Sequence, residues 1–500
     1  MSANFWQWVL ILSSSLLLLW VSPLAKSKAS FFKAQRAGAA PNTWALMGSL
    51  VISWLFAKSI TNAANLGYSF GIVGGVAYAA YYLSFAVAGL VIYQMRTKGG
   101  FQSLHHYLGS RFGQGAVWLF SILIALRLFQ EVWSNTLVIG GYFGDRWTFE
   151  FYLSIGVFTC LTLAYSLKGG MSSSIITDLI QLAFFAILMI VILSAILPNS
   201  NGGMQAYLTS GEWTLIGGGN LLLLALIQSM SYPFHDPVLT DRAFLSDAKS
   251  TRKAFLIATP IGAIAIILFS FVGIYAQNQG LSGASDAPVL VAQSLGIVMM
   301  LVMNFIMVTS AASTLDSTFS SFAKLSVLDL GWGKQISLKA GRIAMVAIAL
   351  IGSLPILLQP DIITATTLSG SMVIGLAPVF LLWKLKAPPL SFYLSVGMGL
   401  LTGILLLLGT YPDFFAFNTG KYAADFMMNL VGTGLCFAAF LLPWVLTRLS
   451  ASSSEVSLSD QSGKGRSSLF ETERSEKLLT VGTIHQKIYR ISISGKSDAL

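Results

Sequence analysis

The chain is predicted to be all-α and polytopic, crossing a membrane about thirteen times, with a core of two five-helix repeats in opposite orientations. Three observations lead there. Hydrophobic residues make up 55% of the chain and charged residues 10%, with a mean hydropathy of +0.73, whereas a soluble domain carries roughly a quarter charged residues. The apolar residues fall into thirteen stretches long enough to span a bilayer. Two of those stretches turn polar at mid-length, and they lie five spans apart, an odd offset that reverses their direction.

The spans cover about 5–24, 43–66, 72–95, 114–141, 149–167, 173–197, 218–238, 254–277, 291–323, 340–358, 364–383, 390–409 and 425–447. The first has no basic residue before it, while Lys26, Lys28, Lys33 and Arg36 follow it. That polarity is the reverse of a cleavable signal, so 1–42 reads as an uncleaved anchor and a basic loop. Residues 43–197 and 198–383 form the two repeats, and 384–447 adds two peripheral spans. From 448 to 500 the composition becomes polar and low in complexity, as in Ala451-Ser-Ser-Ser454, which predicts a largely disordered tail. Leu478–Val481 and Ile488–Ile493 are its apolar islands.

Basic residues alternate between the two sides of the spans. One set of loops holds Lys26 to Arg36, Arg96, Lys98, Arg111, Lys168, Arg242, Lys249, Arg252, Lys253, Lys324, Lys334, Lys339, Lys384 and Lys386; the other holds little beyond Arg146, Glu212, Asp286, Asp361, Asp413 and Lys421. The positive-inside rule makes the first set cytoplasmic, with the N-terminus outside and the C-terminus inside a plasma or inner membrane. The net charge of +10 follows from this topology rather than from a nucleic-acid surface. Cys160 and Cys436 both lie in apolar segments, apart from any disulfide or metal-binding spacing.

The second span begins apolar at Trp44 and then carries Lys58, Ser59, Thr61, Asn62 and Asn65. A lipid-facing helix does not tolerate that half, but a helix that unwinds at mid-membrane does, because its freed carbonyls line a cavity. The seventh span has its counterpart in Ser229-Met-Ser-Tyr-Pro-Phe-His-Asp-Pro237. Two prolines four apart remove two backbone donors and break the helix. His235 and Asp236 sit inside the break, without the further ligands at helical spacing that a transition metal needs. In the ninth span, Ser310, Ser313, Thr314 and Ser317 share one helical face. Small oxygen donors buried at that depth suit a desolvated hard cation, although Ser and Thr also pack helices together.

Four segments resemble the solute:sodium symporter family. Gly67-Tyr-Ser-Phe-Gly71 is similar to its Gly-Tyr-x-x-Gly, Ser103–Gly113 to its cytoplasmic TLPEYLEKRFG stretch, Gly169–Gln181 to its GG-x(6)-TD-x-x-Q, and Ala312-Ser-Thr-Leu-Asp-Ser317 to its (M/A)STADS. The resemblance implies the LeuT-like inverted-repeat fold with an extra N-terminal helix, and symport of a small organic solute with sodium by alternating access. The solute classes it suggests are an amino acid such as proline, a monocarboxylate or urea. It places sodium between carbonyls of Ile52, Leu55 and Ser310 and the hydroxyls of Ser313 and Thr314, with Asp178 assisting ion release. The substrate pathway it implies comprises Trp54, Lys58, Ser59, Trp133, Asn135, Ser229, Tyr232 and Asp236. No organic cofactor and no nucleic acid are expected.

Lys58 departs from the family, whose members carry a neutral or acidic residue there. A buried ammonium needs a partner or must lose its proton. Three roles remain open: pairing with Asp236 or Glu131, binding a substrate carboxylate, or replacing sodium in a sodium-independent carrier. Arg127 and Glu131, at i and i+4, are expected to satisfy each other. A solute sensor acting with a separate signalling partner is the other function class. An enzyme finds no nucleophile or metal constellation in this sequence.

Overall fold

The chain breaks its helices where the backbone must meet something other than its own next turn. The computed structural model describes residues 3–472 except 200, 201, 284, 333, 334, 359–368 and 418, and for 451–472 the backbone alone. In order, its helices are α1 (Ala3–Val21), α2 (Lys28–Lys33), α3 (Thr43–Trp54), α4 (Ala57–Ala79), α5 (Leu83–Gly99), α6 (Leu104–Phe112), α7 (Gln114–Gly140), α8 (Phe149–Gly169), α9 (Met171–Ile196) and α10 (Gly203–Leu208). There follow α11 (Asn220–Gln228), α12 (Pro237–Arg242), α13 (Ala248–Asn278), α14 (Ala287–Ser294), α15 (Ile297–Lys324), α16 (Leu338–Ser353), α17 (Leu376–Leu381), α18 (Pro389–Leu407) and α19 (Ala423–Thr472).

Ten described helices are long and apolar enough to cross a membrane, against thirteen expected spans, and three local causes account for the difference. The spans expected at 43–66 and 72–95 meet in one continuous run, Ala57–Gly99, after α3 has separated as the short apolar helix Thr43–Trp54. The span at 218–238 is interrupted, leaving Leu215–Gln228 as a shorter apolar helix. The first part of the span at 364–383 lies outside the described residues.

Inside Ala57–Gly99, Gly71 (φ 63, ψ −148) turns the chain. A Cβ there would stand 2.5 Å from backbone atoms of Ser210 and Gly211, so glycine is required both by the dihedral and by the approach. The next amide, Ile72 N–H, is held by Ser210 Oγ at 2.9 Å.

The centre of the bundle is α15, packed against α3, α7, α8, α9 and α16, beside α13, packed against α3, α4 and α5. A Cβ on Gly273 of α13 would lie 1.7 Å from the Ala64 carbonyl oxygen. The backbones of α4 and α13 therefore touch, the close approach that small residues permit between membrane helices. Away from the centre, α7 presents Trp118, Ile122 and Leu126 outward at helical spacing, all at least half exposed.

The compact unit spans Met1–Trp444, and a second unit spans Val445–Leu500. In the second unit the backbone is helical through Thr472, although its composition predicts disorder from 448. Leu478–Val481 and Ile488–Ile493 lie outside the described residues.

Two residues expected in cytoplasmic loops instead end helices and pair with acids, and one of them is fully buried. Arg242 ends α12 with no exposed surface. Lys324 ends α15 and pairs with Asp241 at 2.7 Å and Asp329 at 2.9 Å. The apolar pattern pauses between 238 and 254 and again between 323 and 340, so composition places both in connections; Pro237 at the first position of α12 is the signal that a helix restarts there.

On α6, outside the spans, burial is the main influence pushing the His105 imidazole down to about 4, while Asp329, 3.8 Å away, pulls it up. An unfolded histidine takes its proton near pH 6.5. Between those values the unfolded state binds more protons, so stability falls as pH is lowered from 6.5 towards 4, by about 2 kcal/mol at pH 5. The thermal midpoint of detergent-solubilised protein, measured from pH 7 to pH 5, should fall less in His105→Gln than in the parent. Equal slopes would show that His105 takes up its proton at the same pH in the folded and unfolded protein, so that burial does not depress it.

Candidate functional site

The two broken segments meet at Asp236. Helix α3 stops at Trp54, and α4 restarts at Ala57. In the later segment α11 stops at Gln228, a 3-10 turn spans Tyr232–His235, and α12 starts at Pro237. Asp236 caps α12 by accepting from the amides of Val238 (3.0 Å) and Leu239 (3.4 Å). Its other oxygen accepts from Trp54 Nε1 (3.0 Å) and Arg127 Nη2 (3.2 Å). One buried carboxylate thus satisfies a helix start, the indole at the first break and a cation on α7.

Asn135 of α7 serves the other restart. Its Oδ1 accepts from the Lys58 amide at 3.3 Å, and its Nδ2 donates to Glu131 Oε2 at 2.8 Å. Lys58 Nζ donates to Glu131 Oε1 at 2.8 Å, and Arg127 forms an ion pair with the same oxygen. Two cations and two carboxylates, all at most 2% exposed, therefore balance. Such a cluster tolerates burial because each charge has an opposite partner, and losing one member leaves another unpaired.

Beside this cluster lies a narrow pocket, about 360 Å³ counting its open mouth, lined by Trp54, Phe56, Lys58, Ser59, Tyr78, Tyr81, Tyr82 and Tyr232. The Lys58 ammonium stands 5.1 Å from the Phe56 ring centre and Arg127 5.2 Å from that of Tyr232, so the rings already face cations. Tyr78 donates to Ser59 Oγ (3.3 Å), Tyr81 to Gln228 Oε1 (2.8 Å) and Tyr82 to the Trp54 carbonyl (2.7 Å). Four of the expected pathway residues, Trp54, Lys58, Ser59 and Tyr232, line this cage. Asp236 and Asn135 support it from behind. Ser229 is outside it, bonded to the Leu226 carbonyl at 2.7 Å. Trp133 lines a different cavity, with Arg127 and His235. The tyrosines escaped the sequence reading, although Tyr78, Tyr81 and Tyr82 sit at i, i+3 and i+4, the spacing of one helical face.

The residues expected to hold an ion lie below, where α3, α9 and α15 pack together. Among the described residues, no backbone amide from the restart reaches the carbonyls of Ile52 or Leu55, which leaves those oxygens, at the negative end of α3, available to a cation. Thr314 Oγ1 donates to the Ser310 carbonyl (3.0 Å), and Ser313 Oγ donates to Asp178 Oδ1 (2.5 Å). Both hydroxyl protons are thus committed to protein acceptors, leaving oxygen lone pairs for a positive charge. The Ser310 hydroxyl is buried and has no partner among the described residues.

Arg242 is the residue that sequence reasoning missed. From α12 its guanidinium donates to Asp178 Oδ2 (3.0 Å), Ser53 (3.0 Å), Ser174 (3.2 Å) and Ser317 (2.7 Å) through Nη2, to Ser49 (2.6 Å) through Nε, and to the Val238 carbonyl (3.0 Å) through Nη1. Asp178 also accepts from Ser49 and Ser53. Asp178 is therefore no free carboxylate: it joins the Ser313 hydroxyl to a fixed cation. Asp316, beside Ser317, accepts from Thr177 at 2.8 Å.

The two broken helices, packed in an all-helical bundle, define the fold class, a LeuT-like architecture. No protein-family model matches the chain. Over 172 residues it is 26% identical to sodium/glucose cotransporter 1 of Mus musculus, covering 33% of this chain and 25% of that protein. Over 152 residues it is 27% identical to sodium/glucose cotransporter 4 of Homo sapiens, covering 29% and 22%. The matched segments thus span about a quarter of those curated relatives. Among solved structures, a substrate-bound, outward-open Na+-coupled sialic acid symporter aligns with a TM-score of 0.66 at 17% identity, covering 88% of this chain and 97% of that one. Mhp1, a nucleobase-cation-symport-1 family transporter in a closed conformation, aligns at 0.55 and 12% identity, covering 85% and 96%. These likenesses establish the fold.

Replacing Arg242 with Met leaves Asp178 buried without its cation, which should cost about 3–5 kcal/mol. In thermal melts of purified protein, Arg242→Met should be strongly destabilised, and Arg242→Met with Asp178→Asn should recover at least half of the loss. No recovery would show that the arginine acts through packing rather than through its charge.

Proposed function

We propose that the chain is a secondary active transporter that couples sodium entry to symport of a small organic solute by alternating access. The observation that carries this reading is the disposition of oxygen where α15 packs against the broken α3: two hydroxyls whose protons are held by protein acceptors, and an α3 carbonyl end that no amide of the restart reaches. A monovalent cation with little hydration suits that donor set. The named activities of the sodium/glucose cotransporters and of the sialic acid symporter support sodium as the coupling ion. The aromatic cage, one helix break away, is the solute site. The lipid bilayer is the working environment, with the N-terminus outside and the C-terminus in the cytoplasm.

For Lys58 the pairing with Glu131 supports a neutralising role and argues against replacement of sodium, since its ammonium is held at the cage rather than at Ser313. Glu131 is the one hydrogen-bond acceptor that Lys58 Nζ meets among the described residues, and an ammonium carries three donors. The remaining N–H groups suit a solute oxygen. The balanced charge of the cluster favours a solute that is neutral or zwitterionic over one that brings a net charge.

Uptake into proteoliposomes tests the ion site. Ser313→Ala with Thr314→Ala should raise the sodium concentration for half-maximal uptake at least tenfold, since a contact to a charged group contributes about 1.5–3 kcal/mol. Full uptake without sodium in the parent, or an unchanged sodium dependence in a folded double variant, would remove the assignment.

The cage is tested separately. Lys58→Met alone should lower thermal stability by leaving Glu131 with excess negative charge, and Lys58→Met with Glu131→Gln should restore it. If both variants fold and bind solute as the parent does, Lys58 has no part in recognition.

A further inference from the structure

A second cavity, of about 760 Å³ counting its open mouth, lies on the other side of Arg127 from the cage. Its apolar wall is built from Leu123, Leu126, Met372, Val373 and Leu400, with Trp133 and Gln130 among its other lining residues. Three polar atoms of Arg127 and His235 are buried without a hydrogen-bond partner among the described residues; Arg127 Nη1 has its ion pair with Glu131, which leaves Arg127 Nε, a donor, and His235 Nε2. His235 Nδ1 lies 2.6 Å from the Tyr232 carbonyl. A carbonyl can only accept, so Nδ1 carries the proton and Nε2 of the neutral ring is an acceptor. Both side chains are 2% exposed.

An unpaired buried donor and acceptor each cost free energy that a ligand recovers by pairing with them. The charge of Arg127 is already met by Glu131 and Asp236, so the cavity offers hydrogen bonds without a spare ionic partner. Its mouth borders the outward stripe of α7, where Leu126 is 59% exposed in line with Trp118 and Ile122. Such a stripe at membrane depth faces lipid.

We propose that this cavity is a second binding site, entered from the bilayer, for a small uncharged amphiphile whose hydroxyl pairs with His235 and Arg127 and whose alkyl body packs on the leucines. The size suits a single small molecule rather than a two-chain lipid. Occupancy would act on solute binding through the Tyr232–His235 turn, since Tyr232 lines the cage while His235 lines this cavity.

Photolabelling of the full chain in liposomes tests the site without relying on transport. The probe is an eight-carbon alcohol bearing a diazirine, compared with the matching diazirine hydrocarbon and carboxylate. The alcohol should label Leu123–Trp133, Met372, Val373 or Leu400 at least fivefold more than either analogue. That excess should vanish in Leu400→Trp, which fills the cavity from α18, and should drop in His235→Phe. Unlabelled octanol should compete, and diolein should not. Equal labelling by the hydrocarbon, preference for the carboxylate, equal labelling of the lipid-facing Ile190 and Leu350, or competition by diolein alone would each overturn the proposal. The comparison of alcohol with hydrocarbon in the parent protein decides the matter even where a variant fails to fold.

Discussion

Backbone amides and carbonyls at membrane depth have no water to turn to, and the rest of this structure depends on how two helix breaks satisfy them. Asp236 does most of that work. It caps α12, anchors the Trp54 indole at the first break and meets Arg127 on α7, so the two breaks and the helix between them are fixed by one carboxylate. Asn135 does for the restart of α4 what Asp236 does for α12. With the amides capped by side chains, the carbonyls of Ile52 and Leu55 remain open. That asymmetry is what the proposed cation site rests on.

Charge balance follows from the same constraint. Arg127, placed to meet Asp236, also meets Glu131, which then has capacity for Lys58. The upper cluster is neutral as it stands, so the cage offers hydrogen bonds and aromatic faces rather than a counter-charge. The lower cluster differs in kind. Arg242 saturates its donors on Asp178, three nearby helices and its own, tying the inner half-helix α12 to α3, α9 and α15. Any opening on that side must break a fully desolvated ion pair, and Ser313 reports on it directly through Asp178.

The sequence reading located both breaks because their causes are local: polar residues from Lys58 onward in one, Pro233 and Pro237 in the other. It also anticipated the Arg127–Glu131 pair, since i and i+4 on one helix must be neighbours. It placed Arg242 and Lys324 in loops for an equally local reason, a gap in the apolar pattern. It included Trp133 and Ser229 in the solute path, whereas the structure turns Trp133 into a separate cavity and Ser229 onto its own helix. It passed over Tyr78, Tyr81 and Tyr82, because tyrosines in an apolar span are ordinary until a second element faces them.

What the sequence by itself determined is therefore what composition and short spacing encode: residence in the membrane, the position of most apolar spans, the two interruptions, and a stripe of hydroxyls on one face of α15. Tertiary structure alone decided which buried charges meet across different helices. Lys58 and Glu131 are 73 residues apart, and Arg242 and Asp178 are 64 apart. The free energy of a buried ion depends on the partner within a few ångströms, and that partner is chosen by which helices abut and at what rotation. Lys58 had three open roles in the sequence because each was chemically sound; its position against Glu131, at the floor of an aromatic cage, is a property of the packed bundle.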